Sequence, residues 1–445
     1  MYILILLFTL LVNGLAYAQE PGDVNTQFLS AAQQGDKEAV KAVLDKGAEI
    51  NYTNQNGATA LQLASGSGHN DVVEFLIEKG ADVNKKDNKG ITALMYASVF
   101  GRTEVVKTLL DKRAEVNAQE DTGATALMAA AQNGHTDTVK VLLDKGADKN
   151  AKNTAGGTAL IAAAQDGHTD VVKALLVKSA DANASDSEGW TALMAGSLNG
   201  HISVVQALLE QKADVNMANN RGETALMLAS SAGLTEIVKS LLDKGADVNQ
   251  KNKQGDTALM SAAQEGYPEI VKALTEKSAE LSAQEQKGWT ALMFAAQNDH
   301  TEIVSFLLDK KADCNVKNKD GVTALMLAAQ KGNIEIVKTL LDKGVDVNAT
   351  ENNGGTALMV ASQNGHTEVV KALLSTKADG NMKNNKGLTG LMIATLNGQV
   401  DVVKTLLDKG VDVNAKDNNG KTALALAKEN KLEPLVKVLN EAGAK

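Results

Sequence analysis

The chain has 445 residues, 3% aromatics, three Pro, one Cys and a formal net charge of −9. An acidic chain lacks the basic stripe that phosphate backbones require, which excludes nucleic acid as the expected partner. A single Cys, Cys314, excludes an internal disulfide, and the scarcity of rings leaves Ala, Leu, Val and Met to build the core.

The first residues differ in kind from the rest. Residues 3–12 are apolar except for Thr9, and Ala16-Tyr17-Ala18 is a small-x-small site. This pattern reads as a signal peptide over residues 1–18, cleaved between Ala18 and Gln19. The run is shorter than the roughly 20 apolar residues of a membrane span. An uncleaved N-terminal anchor is the alternative. No second apolar segment follows, so no membrane span is expected in the mature chain. Residues 19–25 read as a spacer.

A 33-residue period then runs without interruption. Thr59, Thr92, Thr125, Thr158, Thr191, Thr224, Thr257, Thr290, Thr323, Thr356, Thr389 and Thr422 each follow a Gly by two residues. All but Thr389 open Thr-Ala-Leu. A fixed period of this length means stacked units, each too small to bury its own apolar face. Residues 26–51 fit the same ruler as an N-terminal capping repeat, with Gln33 and Gln34 suited to an exposed end. Residues 52–421 form the array. Residues 422–445 form a C-terminal cap, with Lys428, Glu429, Asn430 and Lys431 where other repeats are apolar or small.

The Thr92 repeat shows the local logic. Asp87-Asn88-Lys89-Gly90 is a turn signal, and Thr92 can cap a first helix with its hydroxyl. That helix ends at Gly101. Thr103 and Glu104 start a second helix, whose Val105, Val106, Leu109 and Leu110 recur at helical spacing. The Asp-x-Asn segments that follow each second helix read as side-chain-capped turns. All six His sit ten residues after the Thr of their repeat, one per repeat, which suits structure rather than a shared metal ion. Cys314 reads as a small buried hydrophobe. Asn51-Tyr52-Thr53, Asn183-Ala184-Ser185 and Asn348-Ala349-Thr350 match glycosylation acceptors, a pattern that Asn-rich turns also produce by chance.

The repeat strongly resembles the ankyrin repeat. The residues that carry the resemblance are Gly-x-Thr-Ala-Leu, the Gly-His between helices (Gly134-His135), the Val-Val-x-x-Leu-Leu stripe and Gly-Ala-Asp-Val-Asn (Gly245 to Asn249). It covers residues 26–445 and implies an all-α solenoid of about thirteen stacked units, caps included. Two departures stand out. Ala follows the Thr where the family usually has Pro. Met stands three residues after it in nine repeats, where the family usually has His, so the family's polar Thr–His network must be absent or rearranged.

The resemblance implies that a partner is read by the turn tips and first helices. This means the residue before each Thr and those seven and eight after it. The bulkiest apolar residues at those places recur every third repeat: Ile91, Trp190, Trp289 and Leu388 before the Thr, with Val99, Phe100, Leu198 and Leu396 after it, and Gln297 in the Thr290 repeat. The residue after the second helix follows the same 99-residue rhythm, with Gly47, Gly146, Gly245, Gly344 and Gly443 set among Arg113, Ser179, Lys212, Ser278, Lys311 and Lys377, and Gly80 and Gly410 as exceptions. These eight apolar residues are the candidate protein-binding set, and no catalytic, cofactor or metal residue is expected. The expected function is a monomeric, exported, non-enzymatic scaffold for a protein partner of unknown identity, either periplasmic or secreted, with a bacterial look to its near-consensus repeats. The alternatives are a structural or self-associating spacer, and an accessory protein of a periplasmic stress-defence enzyme or a secreted host-binding effector.

Overall fold

The computed structural model describes residues 23–445, so the expected signal peptide and its cleavage site lie outside the described residues. Among the described residues, twenty-six helices follow one another in pairs, making about thirteen repeats. No strand forms among the described residues. Three isolated antiparallel bridges, Thr53 with Thr59, Ser185 with Thr191 and Ala218 with Thr224, mark the turns. The chain divides into two compact blocks. One reaches Ala229 and takes in Asp243–Ala246; the other holds Ser230–Leu242 and Asp247–Lys445. Within each block, first helices pack on neighbouring first helices and second helices on second helices.

Each first helix begins where the sequence places it. Thr92 has extended backbone (φ −95°, ψ 166°), and its Oγ1 accepts the Met95 N–H at 3.4 Å, relieving one of the orphan donors at a helix start. The Thr125, Thr191, Thr257, Thr290, Thr323, Thr356 and Thr389 repeats do the same with Met128, Met194, Met260, Met293, Met326, Met359 and Met392. The Met side chains are at most 5% exposed, so they fill core. The Thr59 repeat carries Gln62 instead. Gln62 completes a capping box and sends its Nε2–H groups to the carbonyls of Lys85 (3.0 Å) and Ile91 (2.7 Å). A polar bridge between repeats therefore survives here in rearranged form.

The N-terminal cap differs from expectation. Its first helix is Val24–Gln34, because Asp23 rather than Thr26 caps it, accepting the Thr26 N–H at 2.8 Å. The end of the assigned spacer is therefore helical.

Three devices hold successive repeats in register. The Val-Val-x-x-Leu stripe is buried, with Val105, Val106 and Leu109 no more than 1% exposed. Such burial contributes about 1.5–3 kcal/mol per side chain. Next, each Asp-x-Asn turn locks to its neighbour. Asp82 Oδ1 accepts the Asn84 N–H, and Asn84 Oδ1 accepts the Glu115 N–H of the following repeat, both at 2.9 Å. The bond from the Asn side chain to the next repeat recurs at Asn117, Asn183 and Asn348. The last device is the inter-helix residue. His69, His135, His168, His201, His300 and His366 each donate from Nε2 to a carbonyl 36 residues earlier, at 2.8–3.0 Å. Their rings lie over the Gly of the preceding repeat; a Cβ on Gly134 would stand 2.6 Å from His168 Nδ1. Where that Gly becomes Asp299, the next repeat replaces His with Asn333, and the two side chains hydrogen-bond at 3.2 Å.

The residue after the second helix is left-handed whether or not it is Gly. Gly146 has φ 87°, while Arg113, Lys212 and Lys311 have φ 66°, 60° and 66°. Lys377 is not left-handed. Its second helix, Thr367–Leu374, is closed by the Ser375 and Thr376 hydroxyls, which donate to Ala372 O (2.7 Å) and Leu373 O (2.6 Å). Left-handed geometry costs a side-chain-bearing residue about 1–2 kcal/mol, and Gly loses about 0.5–1 kcal/mol of that advantage through unfolded-chain entropy. The triple variant Arg113→Gly, Lys212→Gly, Lys311→Gly is therefore expected to gain about 0.5–1 kcal/mol per site. Thermal unfolding of the full chain checks this. The matching triple Ala variant, which keeps the strain, should show no gain.

Candidate protein-binding surface

The turn before each first helix is a small hairpin built on one acceptor side chain. Asp186 Oδ1 accepts the N–H groups of Glu188 (2.9 Å) and Trp190 (2.8 Å), and the Asp186 N–H donates to the Trp190 carbonyl at 3.0 Å. Glu285 does the same for Lys287 and Trp289, and Asn384 for Lys386 and Leu388. Successive hairpins are stitched by backbone: the Ser187 N–H donates to Ala155 O at 2.9 Å, and the Asn220 N–H to Glu188 O at 2.9 Å. The tips are thus tied down at the main chain, while side chains such as Ser187, Glu188, Gln286 and Lys287 are exposed.

The eight candidate residues divide into two groups. Ile91 and Val99 are buried, 4% and 3% exposed, and so offer little surface for a partner. Val99 packs with Ala129, Tyr96 and Phe100. Trp190, Trp289, Leu388, Phe100 and Leu198 are half-buried, and Leu396 is 38% exposed. The outward apolar members of the set therefore lie in the Thr191, Thr290 and Thr389 repeats, with Phe100 alone on the Thr92 repeat.

Sequence reasoning missed the residue four after the Thr. Tyr96 and Phe294 stand there. Phe294 meets Trp289 with ring centroids 5.2 Å apart and tilted by 33°, a favourable aromatic contact that enlarges the Trp289 patch. Tyr96 donates from its hydroxyl to Asp87 Oδ2 at 3.0 Å, tying the first helix to the turn that carries Ile91. Burial, and secondarily the Asp87 charge, push the Tyr96 phenol well above its usual value near 10. The helical spacing that sets position four on the turn side of the first helix is the signal that could have found both. Val177, 77% exposed, was also missed. It replaces the Asp that closes other second helices, such as Asp111 and Asp144. Those Asp residues pair with Lys145 and Lys178 of the next repeat at 2.7 and 2.8 Å, exposed pairs that contribute little.

Other signals resolve into structure. Cys314 is 9% exposed, and burial raises its thiol, assisted by Asp313, so it stays protonated and apolar at neutral pH. The Asn side chains of all three glycosylation-type triplets accept backbone N–H groups of the following repeat.

Paired helices, a capped hairpin between pairs and burial shared between neighbours define a helix-pair repeat protein, a class in which each unit contacts only its neighbours. A family model of three ankyrin repeats matches residues 28–120, 87–153, 127–219, 213–285, 247–318, 277–351 and 358–445. The chain belongs to the ankyrin-repeat family, whose arrays mediate protein–protein interaction and are typically non-enzymatic. No curated protein matches the chain as a relative.

A raised phenol favours the folded state only while it is protonated. Its contribution is complete below the ordinary Tyr value near 10 and is lost as pH climbs from there towards the folded-state value. Stability of the native chain should therefore fall above pH 10 more steeply than that of Tyr96→Phe. Denaturant unfolding at neutral and alkaline pH measures both slopes; parallel slopes would refute the assignment.

Proposed function

We propose that this chain is an exported, non-enzymatic scaffold that binds another protein through its turn tips and first helices. The observation that carries this reading is the outward placement of Trp190, Trp289 and Leu388. They sit on hairpins whose backbone polar groups are already satisfied. A Trp in that position contributes nothing to turn geometry, whereas partly exposed Trp is a frequent anchor of binding energy. Export rests on the apolar residues 3–12 followed by Ala16-Tyr17-Ala18.

The double variant Trp190→Ala, Trp289→Ala should keep its helical circular dichroism and lose at least about tenfold in affinity for a protein captured from the native envelope fraction. Unchanged affinity would sink the binding role. Expression with the full N-terminus and sequencing of the exported product should give a chain beginning at Gln19; a retained Met1 would sink the cleavage assignment.

A further inference from the structure

Trp190 and Trp289 hold the same place in their repeats, but the charge beside them is reversed. Trp190 closes the turn Asp186-Ser187-Glu188-Gly189-Trp190, and Trp289 closes Glu285-Gln286-Lys287-Gly288-Trp289. Glu188 and Lys287 therefore stand two residues before equivalent indoles. Both are exposed, and neither has an ion-pair partner among the described residues. Asp186 and Glu285 are the acceptors of their own turns and appear in both sites.

The neighbouring turns extend the contrast. Beside Trp190, the preceding turn Asn153-Thr154-Ala155 carries no charge. The following turn's Arg221 is held by Glu223 at 3.2 Å, and Asp166 is exposed at the end of the preceding first helix. Lys152 donates from Nζ to Ser185 O at 2.7 Å beside this turn, and Asp166, Asp186 and Glu188 outnumber it. Beside Trp289, Lys253 on the preceding turn and Lys319 on the following turn are both exposed and have no ion pair among the described residues. Asp256 on the preceding turn, which accepts a hydrogen bond from Asn252 Nδ2 at 2.9 Å, Glu285 of the Trp289 turn, Asp320 and the helix-end Glu265 are the acids of this neighbourhood, and Lys251, whose Nζ donates to Gln284 O at 3.5 Å, joins its cations. Three lysines without an ion pair among the described residues, one on each of three successive turns, accompany a two-ring apolar platform of Trp289 and Phe294.

Resting on the binding role proposed above, we infer that the Trp289 site takes an extended acidic segment of a protein partner and that the Trp190 site rejects it. Repeats stack at a helix-packing distance of roughly 10 Å. An extended segment rises about 3.3 Å per residue, so carboxylates three residues apart reach Lys253, Lys287 and Lys319 in turn. An apolar side chain between them lies on Trp289 and Phe294. At Trp190 the same segment would meet Glu188 and Asp166, and like charges on a rim suppress the wrong partner.

The two indoles are the only Trp residues in the chain, so each can report separately. Trp190→Phe leaves Trp289 as the sole fluorophore, and Trp289→Phe leaves Trp190. Each variant is titrated with a Trp-free seven-residue peptide carrying Glu at its first, fourth and seventh positions and Leu at its fifth, and with the Lys counterpart. The Glu peptide should shift Trp289 emission and bind there at least about fivefold more tightly than the Lys peptide, with the preference fading in high salt. Lys287→Glu should abolish that preference, and Trp190 should not favour the Glu peptide. The inference is overturned by a silent Trp289, by equal affinity for both peptides, or by a preference that survives Lys287→Glu. If charge preference fails while partner capture still depends on both Trp residues, the charge assignment falls and the binding role stands. If capture ignores the double Trp→Ala variant, the binding role itself falls.

Discussion

No repeat of this chain can bury its apolar stripe alone, and every other feature follows from that shared burial. Val105, Val106 and Leu109 are almost wholly removed from water only because second helices on either side complete the cover. Burial of this kind is non-directional. Alone it would tolerate sliding of one helix pair against the next. The polar contacts between repeats, each modest in net worth, supply the direction. The Asn84-to-Glu115 lock, the His135 Nε2 bond to Val99 O and the Ser187-to-Ala155 backbone bond each fix a different point of the interface.

These polar contacts also explain which substitutions travel together. A His ring resting on the preceding repeat's Gly leaves no room for a Cβ there, so Gly and the next repeat's His form one packing unit. The Asp299–Asn333 pair exchanges both members at once, trading a ring-over-glycine contact for a side-chain hydrogen bond. Asp299 then accepts left-handed backbone at φ 62°, a geometry that Asp tolerates better than most residues. The pairing lies between residues 34 apart, so neither change can be understood within its own repeat.

The period of Thr, the Gly before it and the Val-Val-Leu stripe made the helices and their order legible, because these are local capping and periodicity signals. The caps at Thr92 and Thr290 and the burial of the Met series follow directly from them. What was not legible depended on the neighbouring repeat or on side-chain length. Ile91 looked like a surface anchor by position, yet it is buried beside the turn that Tyr96 ties down. Position four holds Ala129, Ala162 and Ala195 and mostly aliphatic residues elsewhere, so no period marks Phe294 as the ring that meets Trp289. Lys377 shared its place with left-handed residues, but Ser375 and Thr376 supplied hydroxyl caps and ended the helix early.

The residue before each Thr shows how one scaffold can carry different recognition. Its backbone is fully committed: the N–H goes to the acceptor side chain of its turn and the carbonyl to that residue's N–H. Its side chain enters none of these bonds, except where Glu223 and Asp256 bond back to an Asn. The position accordingly carries Ala, Ile, Gly, Trp, Glu, Asp, Val, Leu and Lys along the chain without any change in the hairpin. Stability is thus set by residues that hardly vary between repeats, and surface chemistry by residues that the hairpin leaves free. A three-repeat rhythm of bulky side chains at such a position has no structural reason to persist in Trp190 and Trp289, both of which keep part of the indole in water. Under the proposed binding role, recognition would supply one, with the Trp289–Phe294 contact as a local packing term beside it.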